Sequence, residues 1–422
     1  MDIILESPDY SKVPALAGMI LLEDYEEIAE VLRSKQFVQS GYRVNKETLM
    51  RNVLITLDGE PHMKRRRALA KLFDDHKIAY LRDQYLVPVT QHSLKEVAAV
   101  AREPDGSIKV DLVPFIQRCL FRIGAAVAGI DGVESPEAAD RLIRQIIAIS
   151  DGLVADWARE DSASIVRKGE EAREQFRTQF YNPSFARRKK LVEEARAGGD
   201  LKGADLPQDA LTLMMTNQDG SWEGDADLLL RETYVFMVAS TQTTANALTW
   251  FILRLEDWLK KHPEDRRLIA EDPEFLRRAA FDSLRLTISA PWRLRTATED
   301  VKLASGREIK AGQTAALFFI PANTQEDHFG ANAEDFNPHR RTEGLSPWGH
   351  AFGGGVHMCV GRPLVTGSRG LTGTTTADGT LVSTTRLFYA AGLEIDPGSP
   401  PVRDAGTYFT IYSSVPVRFT KL

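Results

Sequence analysis

A mainly α-helical chain with a minor β part is what these 422 residues predict, and three observations carry that prediction. Residues 225–260 hold the longest uninterrupted helical pattern, about 54 Å at 1.5 Å per residue. Residues 79–157 are helix-rich, broken at Pro104-Asp105-Gly106 and at Asp131-Gly132. Strand-like character is concentrated in 291–320 and 408–419, where residues alternate or are β-branched. One domain over 1–422 is expected, because the motifs below run from residue 62 to residue 361 and length is only a soft guide to domain number.

Charge and cysteine content narrow the function classes. The chain has 53 basic and 59 acidic residues, a net charge of −6, which implies no basic face for nucleic acid. Cys119 and Cys359 are the two cysteines, so no disulfide framework is present and a reducing compartment is expected. Cys119 lies in the apolar helical stretch 115–128 and reads as core. The first ten residues have neither a basic leader nor a long apolar segment, and no apolar run reaches eighteen residues, so a cytoplasmic protein without a membrane span is expected.

In chain order, 21–33 reads as an amphipathic helix, and 39–57 as a loop with short elements. Asp58-Gly59-Glu60-Pro61-His62 opens a helix with an acidic cap and proline in the first turn. His62 and Arg66 share a face of it. Lys64, Arg65, Arg67 and Lys71 surround them as a basic cluster. Residues 158–200 are crowded with charge, which denies them deep burial, and Phe176, Phe180, Tyr181 and Phe185 are the side chains available to face inward. The centre of the long helix, from Tyr234, is apolar on all sides until Ser240, Thr241, Thr243 and Thr244 make it abruptly rich in hydroxyls. A helix apolar all round is buried, so those hydroxyls need partners.

Asp282 and Arg285 stand three apart on a helix that starts near Pro273. Residues 291–303 read as a bend and strand, 306–320 as part of a small sheet with a Lys-Ala-Gly turn, and 323–338 as loop. The stretch 351–363 contains three consecutive glycines and then Cys359 four residues on. After Gly361, residues 366–385 hold four glycines and eight threonines, poor helix formers at up to about 1 kcal/mol per glycine. Any helix there is expected to be interrupted by an inserted loop before 386–391 resumes it. Residues 408–419 suit a final strand pair.

Phe352, Gly355, Cys359 and Gly361 stand at the spacing F-x-x-G-x-x-x-C-x-G, which resembles the haem-binding loop of the haem-thiolate monooxygenases, the cytochrome P-450 family. Four further stretches resemble that family's motifs in its order. They are Asp58-x-x-x-His62-x-x-x-Arg66, the Ala239–Thr244 stretch, Asp282-x-x-Arg285 with Phe336-x-Pro338-x-Arg340, and Arg295-x-Ala297-x-x-Asp300. The resemblance implies the P-450 fold, with the long helix over haem b and Cys359 as the axial ligand of its iron. It implies that Phe352, Gly355 and Gly361 shape the loop, and that His62, Arg66, Arg295 and His357 meet the haem propionates. Asp282, Arg285 and Arg340 would form a buried ion-pair group that holds the loop.

The family's A-G-x-[acid]-T-T signature has Ser240 here for its glycine and Gln242 for its acid, with Thr243 and Thr244 retained. Oxygen handling would fall to Ser240, Gln242, Thr243 and Thr244, in a helix that opens locally. A hydrophobic substrate would be bordered by Tyr234, Met237, Val238, Thr241, Ile288 and Trp292. Ser289 and Ala290 adjoin these, and Tyr42, Val44, Leu49, Val53 and Leu54 are candidates beside ordinary packing. The 158–200 helices would be a lid over this pocket. Aspartate at 282 is a methylene shorter than the family's glutamate, which predicts a shifted or weaker pair.

The expected reaction is insertion of one atom of O2 into a small molecule, with electrons from a ferredoxin and its NAD(P)H-dependent reductase. The basic cluster on the His62 helix is weighed evenly between partner docking and a solvated face. Gln242 raises a rival, a peroxygenase or an enzyme whose substrate delivers protons. The departures at Ser240, Gln242 and Asp282 raise another, a non-catalytic haem-binding protein.

Overall fold

The computed structural model describes residues 13–42, 45–99, 102–199, 201, 205–342, 344–369 and 376–422. Val44, the first ten residues and part of the glycine-threonine stretch lie outside them. Helices dominate and strands are short, as the composition of the segments dictates. The chain divides into two compact units, one of Met1–Gly41, Thr90–Ile116 and Thr243–Leu422, the other of Tyr42–Val89 and Gln117–Gln242. The Leu228–Lys261 helix is continuous through the division at Gln242.

The first unit holds the sheets. Four strands run in the order Ile20–Leu22, Thr314–Phe318, Trp292–Ala297, Phe37–Gln39, the first pair parallel and the others antiparallel. The helix expected over 21–33 begins at Tyr25, because Ile20–Leu22 joins the sheet and Asp24 caps the helix by accepting from the Glu26 and Glu27 amides. Ile28, Val31 and Leu32 of that helix pack with Leu22, Leu317 and Phe319 in one apolar core. The final strand pair is not formed. Tyr412–Ser414 pairs instead with Val402–Arg403, and Pro416–Phe419 sits between Leu393–Ile395 and Ile108–Asp111.

Beyond Cys359 the helix is interrupted as its glycines predict, but it resumes earlier. Arg362–Thr366 gives way to paired strands Gly367–Arg369 and Thr376–Asp378, and Thr380–Ala390 resumes the helix six residues before Arg386. Two glycines close the excursion at its base. A Cβ at Gly379 would fall 2.3 Å from the Val365 carbonyl oxygen, and Gly367 has φ +77°. Thr380 Oγ1 then donates to Leu364 O at 2.9 Å, tying the two helical pieces together.

The second unit is helical. Pro136–Leu153 and Ser162–Phe176 meet at Gly152 and Gly169, with the Leu49 side chain against both. A π-helical turn, Arg177–Tyr181, leads into Asn182–Ala197. Phe176, Phe180 and Tyr181 are buried and Phe185 half-buried, so the inward side of these charged helices is the aromatic one. One charge goes in with them. Arg188 is 4% exposed and is paired with Asp209 at 2.8 Å and Asp131 at 2.7 Å, which satisfies its fork.

Candidate active site

The cysteine loop is built on backbone that glycine alone accepts easily. Gly353 has φ +68° and Gly355 φ +60°, and a Cβ on Gly355 would stand 2.1 Å from Leu32 O at the end of the Tyr25–Arg33 helix. The Cys359 amide donates to Phe352 O at 2.9 Å, which folds the loop back on itself and leaves the thiol exposed, whereas Cys119 is fully buried. Phe352 packs edge-on to Trp348 at 5.8 Å. His357 ends the short turn Gly355–His357, half-buried.

Behind the loop stand two residues that the motifs did not pick out. Asn323 accepts from the His350 amide at 2.8 Å and donates to Arg285 O at 3.0 Å. His350 stacks on Tyr25 at 4.1 Å, and its Nε2 lies 3.1 Å from Tyr25 O, a carbonyl that only accepts, so Nε2 carries the proton. Burial pushes the His350 imidazole down to about 4. Gly349, with φ +55°, lets Asn323 close in, since a Cβ there would meet its side chain at 2.1 Å. The signal for both residues is contact with the loop base, which sequence spacing does not encode.

Asn323 leads to the ion-pair group. Asp282 Oδ1 lies 2.8 Å from Arg285 Nε and 3.0 Å from Arg340 Nε, and Oδ2 accepts from the Asn337 amide at 2.7 Å. Arg285 is fully buried and spends its remaining donors on the carbonyls of Asn323, Ala333 and Asp335. Asn337 and both arginines close in on the shorter acid at ordinary ion-pair distances.

The long helix shows two faces. Near its middle Val235, Val238, Ala239, Gln242, Thr243 and Asn246 are accessible or half-accessible at the three- and four-residue spacing of one stripe, with Ser240 half-accessible beside it. Tyr234, Met237, Thr241 and Thr244 are buried elsewhere around it. Tyr234 Oη donates to Leu49 O at 2.5 Å, and a Cβ placed on Gly124 would stand 2.6 Å from Thr241 Cγ2. Of the pocket candidates on this helix, Val238 therefore keeps accessible surface, and Tyr234, Met237 and Thr241 are core. The helical angle turns these three away from the stripe. Thr244 is likewise withdrawn from the accessible stripe.

No local opening is present either: the helix runs unbroken from Leu228 to Lys261. Ser240 and Thr241 return their hydroxyls to Met237 O at 3.2 and 2.7 Å. Thr243 O accepts from Ser289 Oγ at 2.7 Å. Ile288 and Trp292 are packed into the interior, Trp292 stacking on Phe409 at 5.4 Å. Leu49, Val53 and Leu54 are core as well, while Tyr42 is half-buried at φ +61°.

His62 is 2% exposed on the Gly59–Ala70 helix, with Arg66 half-buried one turn on. Asp58 holds the N-cap position. Arg65 departs from the solvated cluster. It is 9% exposed and donates to the carbonyls of Ser221 and Asn52, with Glu232 Oε1 3.3 Å away. Glu232 also accepts from the Leu54 amide at 2.9 Å, and burial pushes its carboxyl up to about 7 against the pull of Arg65. Burial also lowers Arg65, so desolvation outweighs the pair on both sides. Lys64, Arg67 and Lys71 remain exposed. Arg295, in strand Trp292–Ala297, is buried and donates to Gln39 Oε1 on the neighbouring strand.

The family model for cytochrome P-450 matches residues 15–271 and 274–366, and the chain belongs to that family. The Mycinamicin VIII C21 methyl hydroxylase of Micromonospora griseorubida is 33% identical over 138 residues, 32% of this chain and 32% of that protein. The match thus spans about a third of that relative's own length. The C-19 steroid 1alpha-hydroxylase of Sorangium cellulosum is 23% identical over 312 residues, 74% of this chain and 69% of that protein. Among solved structures, CalO2 superimposes with a TM-score of 0.72 at 18% identity, covering 96% of this chain and 92% of the other, a likeness of fold.

Haem b bound through a cysteine thiolate is the cofactor of this family. The residues present fit it: an exposed thiol on a glycine-shaped loop offers a soft ligand, and Arg295 offers a buried cation suited to a propionate. Among the described residues no helix is long and apolar enough to cross a membrane.

Proposed function

We propose that the chain is a haem-thiolate monooxygenase that inserts one atom of O2 into a hydrophobic small molecule, its two units working as one catalytic domain. The observation that carries this is the exposed Cys359 thiol on a loop braced by Gly355 against Leu32 and by Phe352 O against its own amide. Cys359 would be the iron ligand, with Phe352, Gly355 and Gly361 shaping its surroundings. His62, Arg66, Arg295 and His357 would counter the propionate charges. When bound, the haem supplies oxygen activation, its thiolate pushing electron density toward O–O cleavage.

This chain's own share is proton handling and substrate contact. Thr243 offers a hydroxyl on the accessible stripe, and Gln242 beside it hydrogen-bonds without titrating near neutral pH. A proton held at Thr243 Oγ1 is therefore replaced from water or from a substrate hydroxyl rather than from a carboxylate. Gln242 thus favours proton delivery assisted by substrate or water within the same fold. Val238 and Val235 supply the apolar surface of the stripe. Electrons come from a ferredoxin and its NAD(P)H-dependent reductase in the cytoplasm, the ferredoxin meeting the exposed Lys64, Arg67 and Lys71.

The test is spectroscopic. The reduced haem protein with carbon monoxide should show the absorbance band that names the family, and Cys359→His should keep haem and lose it. An unchanged band in the variant overturns the thiolate assignment. Turnover with ferredoxin, reductase and NADPH against peroxide alone then separates monooxygenase from peroxygenase, and no turnover with either points to a haem-binding protein.

A further inference from the structure

We infer that the cleft between the Pro136–Leu153 and Ser162–Phe176 helices is a binding site for a small anion bearing two or more acidic groups. The helices run antiparallel. Gly152 meets Gly169 near one end, where a Cβ on Gly169 would stand 3.2 Å from Gly152 Cα, and Gln145 Nε2 donates to Gln179 Oε1 at 2.9 Å toward the other. The pair borders an open cleft of about 400 Å³, within the range of small-ligand sites.

Its walls carry Arg141, Arg144 and Lys168 against one carboxylate, Glu171. Among the described residues none of these four has an ion-pair partner. Along the same stretch of chain Arg173 pairs with Glu174 and Arg177 with Asp227, so charge there is usually matched. The excess is local, in a chain whose net charge is −6.

Gln145 is the independent observation. This lining residue is 4% exposed, and its Oε1 is buried without a hydrogen-bond partner. Reversing the Gln145 and Gln179 amides together preserves their bond, so the unpartnered buried position beside the cleft can hold either an oxygen or an N–H. Two guanidiniums suit the forked oxygens of carboxylate or phosphate. A cleft between two helices favours a small molecule over an acidic protein, which needs only a flat charged face.

Isothermal titration of the haem-loaded full chain with pyrophosphate and with citrate, at 150 mM NaCl, tests this. One saturable site per chain is expected, with Kd below about 1 mM. Arg141→Ala combined with Arg144→Ala should weaken it about tenfold or more while circular dichroism stays unchanged. Binding of pyrophosphate alone assigns a phosphate-bearing ligand, and of citrate alone a polycarboxylate. Absence of saturable heat with both probes overturns the proposal, as does equal binding by wild type and the double variant. Capture of poly-glutamate without either small probe also overturns it, making the face a protein dock.

Discussion

Asp282 illustrates how one side chain's shortness is absorbed by its neighbours. Its two oxygens face Arg285, Arg340 and the Asn337 amide at 2.8, 3.0 and 2.7 Å, with Asp282 and Arg285 themselves buried. Asp282→Asn leaves two cations facing a neutral amide and should cost about 3–5 kcal/mol in chemical denaturation. Asp282→Glu should also lower stability, because an extra methylene has no space in a closed group. A gain in stability on Asp282→Glu would mean the group is strained by its short acid. On the accessible stripe, Thr243→Ala should divert electrons to peroxide, and Gln242→Glu should raise NADPH consumption or change its coupling to product. If Thr243→Ala leaves rate and coupling untouched, its hydroxyl is structural and the relay lies elsewhere.

Elements show where sequence reading reached and where it stopped. The cysteine loop, the His62 helix, the Asp282–Arg285 spacing and the long helix were legible because each rests on local periodicity or backbone demand. The side of the helix that faces open space was not, since Tyr234, Met237 and Val238 all suit burial and packing partners from distant segments decide among them. Nor is the burial of Arg65 legible locally, because its partner Glu232 is 167 positions away. Ser240 in place of the family's glycine is answered by a glycine opposite. A Cβ on Gly124, in the Leu112–Ala128 helix, would stand 3.0 Å from Ser240 Oγ and 2.6 Å from Thr241 Cγ2, so the close approach is supplied from that helix. Gly124→Ala should therefore destabilise by about 1–3 kcal/mol, and Thr241→Ser beside it should recover part of the loss. Thermal melts of the two single variants and the double variant measure that coupling, and simple additivity would count against the contact.

At the scale of the whole molecule, two buried titrations act on stability in opposite directions over one pH range. Glu232 titrates at about 7 in the folded chain and near its ordinary value of 4.5 when unfolded. Between those values the folded chain holds a proton that the unfolded chain has released, so this group's contribution is fully present below about 4.5 and is lost as pH rises through about 7. His350 runs the other way. It titrates at about 4 when folded against 6.5 when unfolded, so its contribution is present above 6.5 and is lost as pH falls through about 4. Acidification from pH 7.5 to 5 thus gains from one group and loses from the other, flattening the net dependence. Glu232→Gln should lower stability at pH 7.5 by leaving Arg65 without its carboxylate, and should make the fall toward pH 5 steeper than in wild type. His350→Asn should make that fall shallower, whatever it costs in packing against Tyr25. Urea midpoints at half-unit steps from pH 7.5 to 5 read both slopes, and parallel curves for wild type and both variants would place the acid response in other groups.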